Sequence, residues 1–168
     1  MAVCQAAMVD AREALIISMG VENDLIISLT PRDGNCQFTV GAMNDGGHTT
    51  ASDLRCKCHA IADSKDGRDK YRGFFTSDED HEAWVKGIIG GADGDHITLQ
   101  ILAVILDCNV ICIDLEKWHT LPIGEERLGR PVFYWMYDPE LNGHYMHAVV
   151  ASSVSDASLV TVEVRIIL

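Results

Sequence analysis

The chain has 168 residues, 48% of them hydrophobic and 23% charged, and a formal net charge of −12 at pH 7. This composition is typical of a globular protein, and the length predicts a single domain over residues 1–168 with its own hydrophobic core. The negative charge would repel a phosphate backbone or an anionic lipid surface, so we expect neither a nucleic acid nor a membrane as a partner.

The elements predicted from hydrophobic periodicity begin with helices and end with strands. Helices are expected at 3–19, 36–43, 51–63, 77–88 and 96–106, with the charged segment 63–72 as a loop and strands at 110–113, 131–137, 144–150 and 160–166. Because the helices come first and the strands last, the pattern predicts an α+β fold with a central mixed or antiparallel sheet flanked by helices.

One cysteine has a position that suits a nucleophile. Cys36 begins the predicted helix 36–43, directly after the polar turn Asp33-Gly34-Asn35. Partial positive charge at a helix N-terminus lowers the pKa of a thiol toward neutrality. The backbone N–H groups of Gly34, Asn35 and Cys36 could then stabilise an oxyanion.

A histidine for such a nucleophile lies at the start of the predicted strand 144–150. His144 and His147 point to opposite faces of a strand, so only one of them can face Cys36. We predict that His144 does, since it follows directly after the turn Asn142-Gly143. The alternative from the pattern alone is that Cys36 is a buried core residue and His144 is bonded to the backbone.

The remaining cysteines predict no metal site and no disulfide. Cys56 and Cys58 flank Lys57 and precede His59, but residues two apart on a helix lie about 200° from each other and cannot bind one ion. A chain of this size does not need disulfides, and residues 1–20 do not resemble a signal peptide. We therefore expect reduced cysteines and an intracellular protein, cytoplasmic or, if it comes from a pathogen or virus, in the host cytoplasm.

Four segments of the chain resemble the ovarian-tumour (OTU) family of cysteine deubiquitinases. They are Asp33-Gly34-Asn35-Cys36-x-Phe38, Leu54-Arg55, Gly94-Asp95-His96-Ile97-Thr98-Leu99-Gln100 and Asn142-Gly143-His144-Tyr145 followed by Ala148-Val149-Val150. Their order and spacing agree with the family over about residues 25–150. The resemblance implies a papain-like OTU fold and hydrolysis of the isopeptide bond after the C-terminal glycine of ubiquitin, through a cysteine thioester.

The resemblance also implies roles for residues. Cys36 would be the nucleophile and His144 the general base and then acid, with Asp33 orienting the histidine or shaping the cysteine loop. No metal or organic cofactor would be required. The partner would be ubiquitin or polyubiquitin, or another ubiquitin-like modifier, and we expect the protein to be a monomer.

The chain departs from the family pattern at three places. Met146 stands where many members have Asp or Asn, so the group that orients the imidazole would be Asp33 or another polar residue such as Asn142. Asp93 replaces the tryptophan of a Trp-Gly pair, and Gln37 follows the nucleophile where Leu, Phe or Met is usual. The alternative function is therefore a catalytically impaired module that binds ubiquitin or a related modifier.

Overall fold

The computed structural model describes residues 2–117, 119–141 and 143–151, and side chains from residue 11 onward. The helices are α1 (Ala2–Glu22), α2 (Cys36–Asn44), α3 (Ala51–Asp63), α4 (Lys65–Tyr71), α5 (Asp78–Gly90) and α6 (His96–Ile105). The strands are β1 (Leu25–Ser28), β2 (Asn109–Asp114), β3 (His119–Ile123), β4 (Val132–Asp138) and β5 (His144–Val150). No helix in these ranges is long and apolar enough to cross a bilayer.

The five strands form one mixed sheet in the order β1-β5-β4-β2-β3. The pair β2–β4 is parallel, and the pairs β1–β5, β4–β5 and β2–β3 are antiparallel. Helices flank this sheet, so the predicted α+β class with a central mixed sheet is confirmed.

Alternate residues of the strands belong to two separate hydrophobic clusters, one on each face of the sheet. On β5, Tyr145 belongs to the cluster that also holds Cys36 and Phe38 of α2. Its neighbour Met146 belongs to the second cluster, with Ile16 of α1. The sheet therefore lies between α1 on one face and the packed helices α2, α3, α5 and α6 on the other.

Three elements, α4, β1 and β3, differ from the sequence predictions, and β1 was not predicted as a strand. The segment 63–72 was predicted as a loop but contains helix α4, which begins because the Ser64 hydroxyl accepts a hydrogen bond from the Gly67 N–H over 3.0 Å. Strand β3 was not predicted, because it contains Pro122, which lacks an N–H and is tolerated on an edge strand. The strand predicted at 160–166 lies outside the described residues.

Candidate active site

Cys36 is the first residue of α2, as predicted, and its side chain is nearly buried at 5% exposure. The backbone N–H groups of Tyr145 and Gln37 face its sulfur and favour the thiolate. Tyr145 directly follows His144 in the chain, so the thiol lies beside the peptide group between these two residues at the start of β5. The fold thus brings the start of β5 to Cys36, although the two lie more than a hundred positions apart in the chain.

The loop before Cys36 is built around a glycine and an aspartate. Gly34 has φ +76°, a left-handed conformation that glycine adopts without strain, and a Cβ there would lie 3.0 Å from the carbonyl oxygen of Gly91. The carboxylate of Asp33 accepts a hydrogen bond from the Asn35 N–H over 3.0 Å. Asp33 therefore shapes the cysteine loop, which is one of the two roles predicted for it.

That bond has a consequence for the predicted oxyanion hole. The Asn35 N–H already donates to Asp33, so in this structure it is not free to receive an oxyanion. The first N–H groups of a helix have no partner within the helix, and the Asn35 side chain makes no capping bond to them. The N–H of Cys36 at the start of α2 is thus better placed than the N–H of Asn35 to donate to an oxyanion.

Arg55 fixes the cysteine loop by hydrogen bonds, a role that the sequence did not predict. Its guanidinium donates to Asn35 Oδ1 (2.9 Å) and to the carbonyl oxygens of Gly34 (2.5 Å), Ile88 (2.6 Å) and Ala92 (2.8 Å). The side chain is nearly buried, and its guanidinium carbon lies 4.3 Å from the centre of the Phe38 ring. Arg55 therefore links the cysteine loop to the end of α5 and the loop that follows it.

The two histidines of β5 have different partners. His144 is 4% exposed, and its Nε2 lies 3.0 Å from the carbonyl oxygen of Thr30 and 3.2 Å from its Oγ1. His147 Nε2 lies 3.0 Å from Oδ1 of Asn44, the last residue of α2. Among the described residues no hydrogen bond joins either ring to Cys36, but His144 is the histidine at the thiol end of α2.

The electrostatics of the site differ from the sequence prediction in one respect. Burial raises the pKa of the Cys36 thiol, and its two backbone N–H neighbours only partly oppose this. The expected lowering of the thiol pKa toward neutrality is therefore wrong for this structure. Burial and the nearby Arg32 lower the pKa of His144, so both groups are neutral near pH 7.

An acidic groove of about 430 Å³ is lined in part by Tyr145, whose backbone N–H faces the Cys36 sulfur, but Cys36 itself does not line it. Asp93, Asp95, Asp114, Gly143 and Tyr145 are among the residues that line it. Asp95 and Asp114 already accept hydrogen bonds from their neighbours, whereas the exposed carboxylate of Asp93 lies close enough to Cys36 and Arg55 to affect the pKa of each. Asp93 is therefore the groove carboxylate best placed to bind a cation.

Gln37, one of the residues that depart from the family pattern, contacts the loop before α6. Gln37 is fully buried, and its amide donates to the carbonyl oxygen of Asp95 over 2.9 Å. A Cβ on Gly94 would lie 2.0 Å from Gln37 Oε1, so this glycine is required by the glutamine. The tryptophan beside this loop is Trp84, whose Nε1 donates to Asp95 Oδ2 over 2.7 Å.

Two further residues, Asn142 and Met146, were considered in the sequence analysis for the orientation of the imidazole. Asn142 lies outside the described residues, so its orienting role stays a prediction. Met146 is fully buried in the cluster with α1 and contributes no polar atom to the histidine beyond its backbone. Within the described residues, no group of three His, Cys, Asp or Glu side chains could hold a metal ion.

Comparison with known proteins identifies the fold. No known family profile and no curated protein sequence matches the chain. Among solved structures, the OTUD1 OTU domain superposes with a TM-score of 0.67 at 18% identity, covering 86% of this chain and 99% of that domain. An OTU deubiquitinase from Wolbachia pipientis wMel gives 0.57 at 14% identity, covering 79% and 93%.

A third similar structure is an OTU domain in complex with ubiquitin, with a TM-score of 0.58 at 17% identity, covering 74% of this chain and 69% of that one. All three belong to one structural class, and the viral OTU protease of Qalyub virus agrees with them at a TM-score of 0.53 and 19% identity, covering 74% and 83%. The chain has the OTU fold. The resemblance noted from the sequence is confirmed at the level of the fold.

Proposed function

We propose that this protein is a cysteine deubiquitinase, which hydrolyses the isopeptide bond after the C-terminal glycine of ubiquitin. The observation that carries the proposal is the position of the Cys36 sulfur. It lies at the start of α2, against the backbone N–H of the residue that follows His144. A thiol at a helix N-terminus beside a histidine-bearing strand is the arrangement needed for nucleophilic attack on a carbonyl.

The pKa directions support proton transfer during attack rather than a pre-formed ion pair. The neutral His144 ring takes the thiol proton as sulfur bonds to the carbonyl carbon, and the carbonyl π electrons move onto oxygen. The Cys36 N–H stabilises that oxyanion. The oxyanion then collapses, the C–N bond breaks, and His144 returns the proton to the leaving lysine amine.

Water completes the cycle. His144 accepts a proton from a water molecule, whose oxygen attacks the thioester carbonyl carbon. Collapse of the second oxyanion breaks the C–S bond, and the thiolate regains its proton from the imidazolium. The products are ubiquitin with a free carboxylate and the regenerated thiol, so no metal or organic cofactor is consumed.

The acidic groove supports ubiquitin as the substrate. Ubiquitin ends in arginine residues followed by two glycines, and the exposed carboxylate of Asp93 offers a counter-charge near the thiol. The protein's charge of −12 would favour encounter with a basic tail.

One experiment separates the enzyme from a non-catalytic binder. The protein is mixed with ubiquitin that carries a C-terminal electrophile, and the adduct is mapped by mass spectrometry. We expect a covalent adduct on Cys36 that Cys36→Ala abolishes. Cys56→Ala is the matched control, because among the cysteines whose side chains the structure describes Cys56 is the exposed one.

The second candidate function, a ubiquitin-binding module without activity, is favoured by the buried thiol and by the missing hydrogen bond between Cys36 and His144 among the described residues. Tight reversible binding without an adduct would support it and contradict the enzyme. Adducts with a probe built on another ubiquitin-like modifier, but not with ubiquitin, would assign a related protease instead.

A further inference from the structure

Thr30 makes the hydrogen bonds that hold the His144 ring. It lies between β1 and Pro31 and is buried at 7% exposure. Its hydroxyl donates to the Tyr145 carbonyl oxygen over 2.5 Å. The His144 Nε2 lies 3.0 Å from the Thr30 carbonyl oxygen and 3.2 Å from its Oγ1. Thr30 therefore contacts both the histidine ring and the backbone that follows it.

These bonds assign the proton on the imidazole. A carbonyl oxygen only accepts, so the Nε2 beside it must carry a hydrogen. The Thr30 hydroxyl has one proton, which it gives to Tyr145, so its oxygen can only accept from the same Nε2–H. The neutral ring therefore keeps its lone pair on Nδ1, and Nδ1 is the atom available as a base.

The carboxylates that could replace Thr30 in this role are engaged elsewhere. Asp138 is paired with His144 across β4 and β5, but its carboxylate forms a two-point ion pair with Arg12 at 2.9 and 3.2 Å. Asp33 accepts from the Asn35 N–H. The thioether of Met146, where the family pattern has Asp or Asn, lies in the core.

We propose that Thr30 is the positioning residue for His144, and that its carbonyl and hydroxyl oxygens together replace the carboxylate or amide missing at Met146. The proposal rests on the proposed function of Cys36 and His144. Pro31 adds rigidity, because a residue before proline is confined to extended conformations, which fixes the direction of the Thr30 carbonyl.

A neutral positioning group has an electrostatic consequence. Thr30 adds no negative charge to stabilise the imidazolium, unlike an aspartate. The other charged groups that affect the ring are Arg32, which opposes its protonation, and Glu13 and Asp138, which favour it. Glu13 is paired with Arg32 and Asp138 with Arg12, so their effects on the ring partly cancel.

The test compares Thr30→Val, which removes only the hydroxyl, with Thr30→Ser, which keeps it, and with Thr49→Val as a matched control in a loop away from the site. We expect Thr30→Val to lower kcat on a ubiquitin C-terminal reporter about tenfold, the worth of one hydrogen bond, with little change in KM. Thr30→Ser should restore most of kcat, and all variants should remain folded by thermal melting.

Two outcomes of the kinetics would overturn the proposal. Unchanged kcat in Thr30→Val would show that the hydroxyl does not position the ring. The other outcome is that Thr30→Val and Thr30→Ser lose kcat to the same extent and melting temperature to the same extent. That result would show that Thr30 acts only through folding.

A second measurement does not depend on ubiquitin. Long-range ¹H–¹⁵N spectra of the whole wild-type protein report which ring nitrogen of His144 carries the proton, and we expect the Nε2–H tautomer. The Nδ1–H tautomer would overturn the positioning role even if the protein is an active deubiquitinase. The Nε2–H tautomer in a protein that forms no ubiquitin adduct would instead retain the Thr30 contact and contradict the proposed function alone.

Discussion

The Nε of Arg55 donates a hydrogen bond to Oδ1 of Asn35 over 2.9 Å, and this bond determines where the asparagine side chain points. Asn35 is the N-cap residue of α2, a position where asparagine normally binds the free N–H groups of the helix. Because Arg55 holds the side chain, those N–H groups stay uncapped beside Cys36. A buried arginine thus keeps the helix end open for chemistry.

Arg55 should therefore matter for both stability and activity. We expect Arg55→Lys to lower the free energy of unfolding by about 3 kcal/mol, because a lysine cannot satisfy four acceptors that are arranged around a planar guanidinium. Urea denaturation measures this change. The control is Arg68→Lys on the surface, where exposed ion pairs contribute less than about 1 kcal/mol. Equal effects of the two variants would contradict the structural role of Arg55.

Alanine variants of the two β5 histidines test which of them acts as the base. We expect His144→Ala to lower kcat by about a thousandfold, because it removes the general base. His147→Ala should keep activity within about threefold while lowering stability by about 1 kcal/mol, since its bond to Asn44 lies at the other end of α2. Steady-state hydrolysis of a ubiquitin reporter measures kcat for both variants and shows which histidine acts as the base. Loss of activity in His147→Ala alone would mean that the base is misassigned.

Asp93 should contribute to substrate binding through its charge. We expect Asp93→Asn to raise KM for a ubiquitin substrate several-fold with little change in kcat, because the carboxylate pairs with an arginine of the tail. The effect should shrink at high salt, where exposed charges are screened. Asp69→Asn, an exposed aspartate on α4, is the matched control. An equal change in KM for both variants would indicate a general effect of net charge.

The reactivity of Cys36 toward iodoacetamide should follow its raised pKa. Alkylation needs the thiolate, so the rate at Cys36 should still be rising at pH values where an ordinary thiol is fully ionised. The exposed Cys56 serves as the internal reference in the same digest. A plateau of Cys36 alkylation near neutral pH would show that the thiol is ionised at rest and would contradict the neutral starting state.

Stability should decrease in mild acid because of the same histidines. Burial lowers the pKa of both His144 and His147, so below about pH 6.5 the unfolded chain binds protons that the folded chain does not. The contribution of the two neutral histidines to the free energy of unfolding is fully present above that pH, and it is lost as the pH falls through their folded pKa values. Urea midpoints at pH 7.5, 6.5 and 5.5 measure the decrease, and His147→Gln should reduce it. An unchanged slope in that variant would contradict the role of His147.

The sequence predicted the parts of the site that depend on local chemistry. The turn Asp33-Gly34-Asn35 and the helix beginning at Cys36 follow from glycine conformation and helix-end preferences. Helix α3 was predicted with its bounds because Leu54, Cys58 and Ile61 form an apolar stripe at helical spacing. Strand β5 was also predicted at its observed bounds, since its apolar run follows a turn.

The parts that sequence reasoning missed depend on contacts across the fold. Thr30 was not recognised because only the pairing of β1 with β5 brings it to His144. The thiol pKa was misjudged because helix position is visible in the sequence but burial by Tyr145 and its neighbours is not. Arg55 belonged to a family motif, yet its four acceptors come from the cysteine loop, helix α5 and the loop after α5.

The ion pair between Arg12 and Asp138 ties the first helix to strand β4, which lies beside His144. Asp138 is fully buried, so a shortened protein lacking the first 22 residues would leave a carboxylate in the interior without a counter-ion. Such a shortened protein should lose stability at the end of β4 while keeping both Cys36 and His144. The amino-terminal helix is thus a structural part of the fold, because its Arg12 neutralises the buried Asp138.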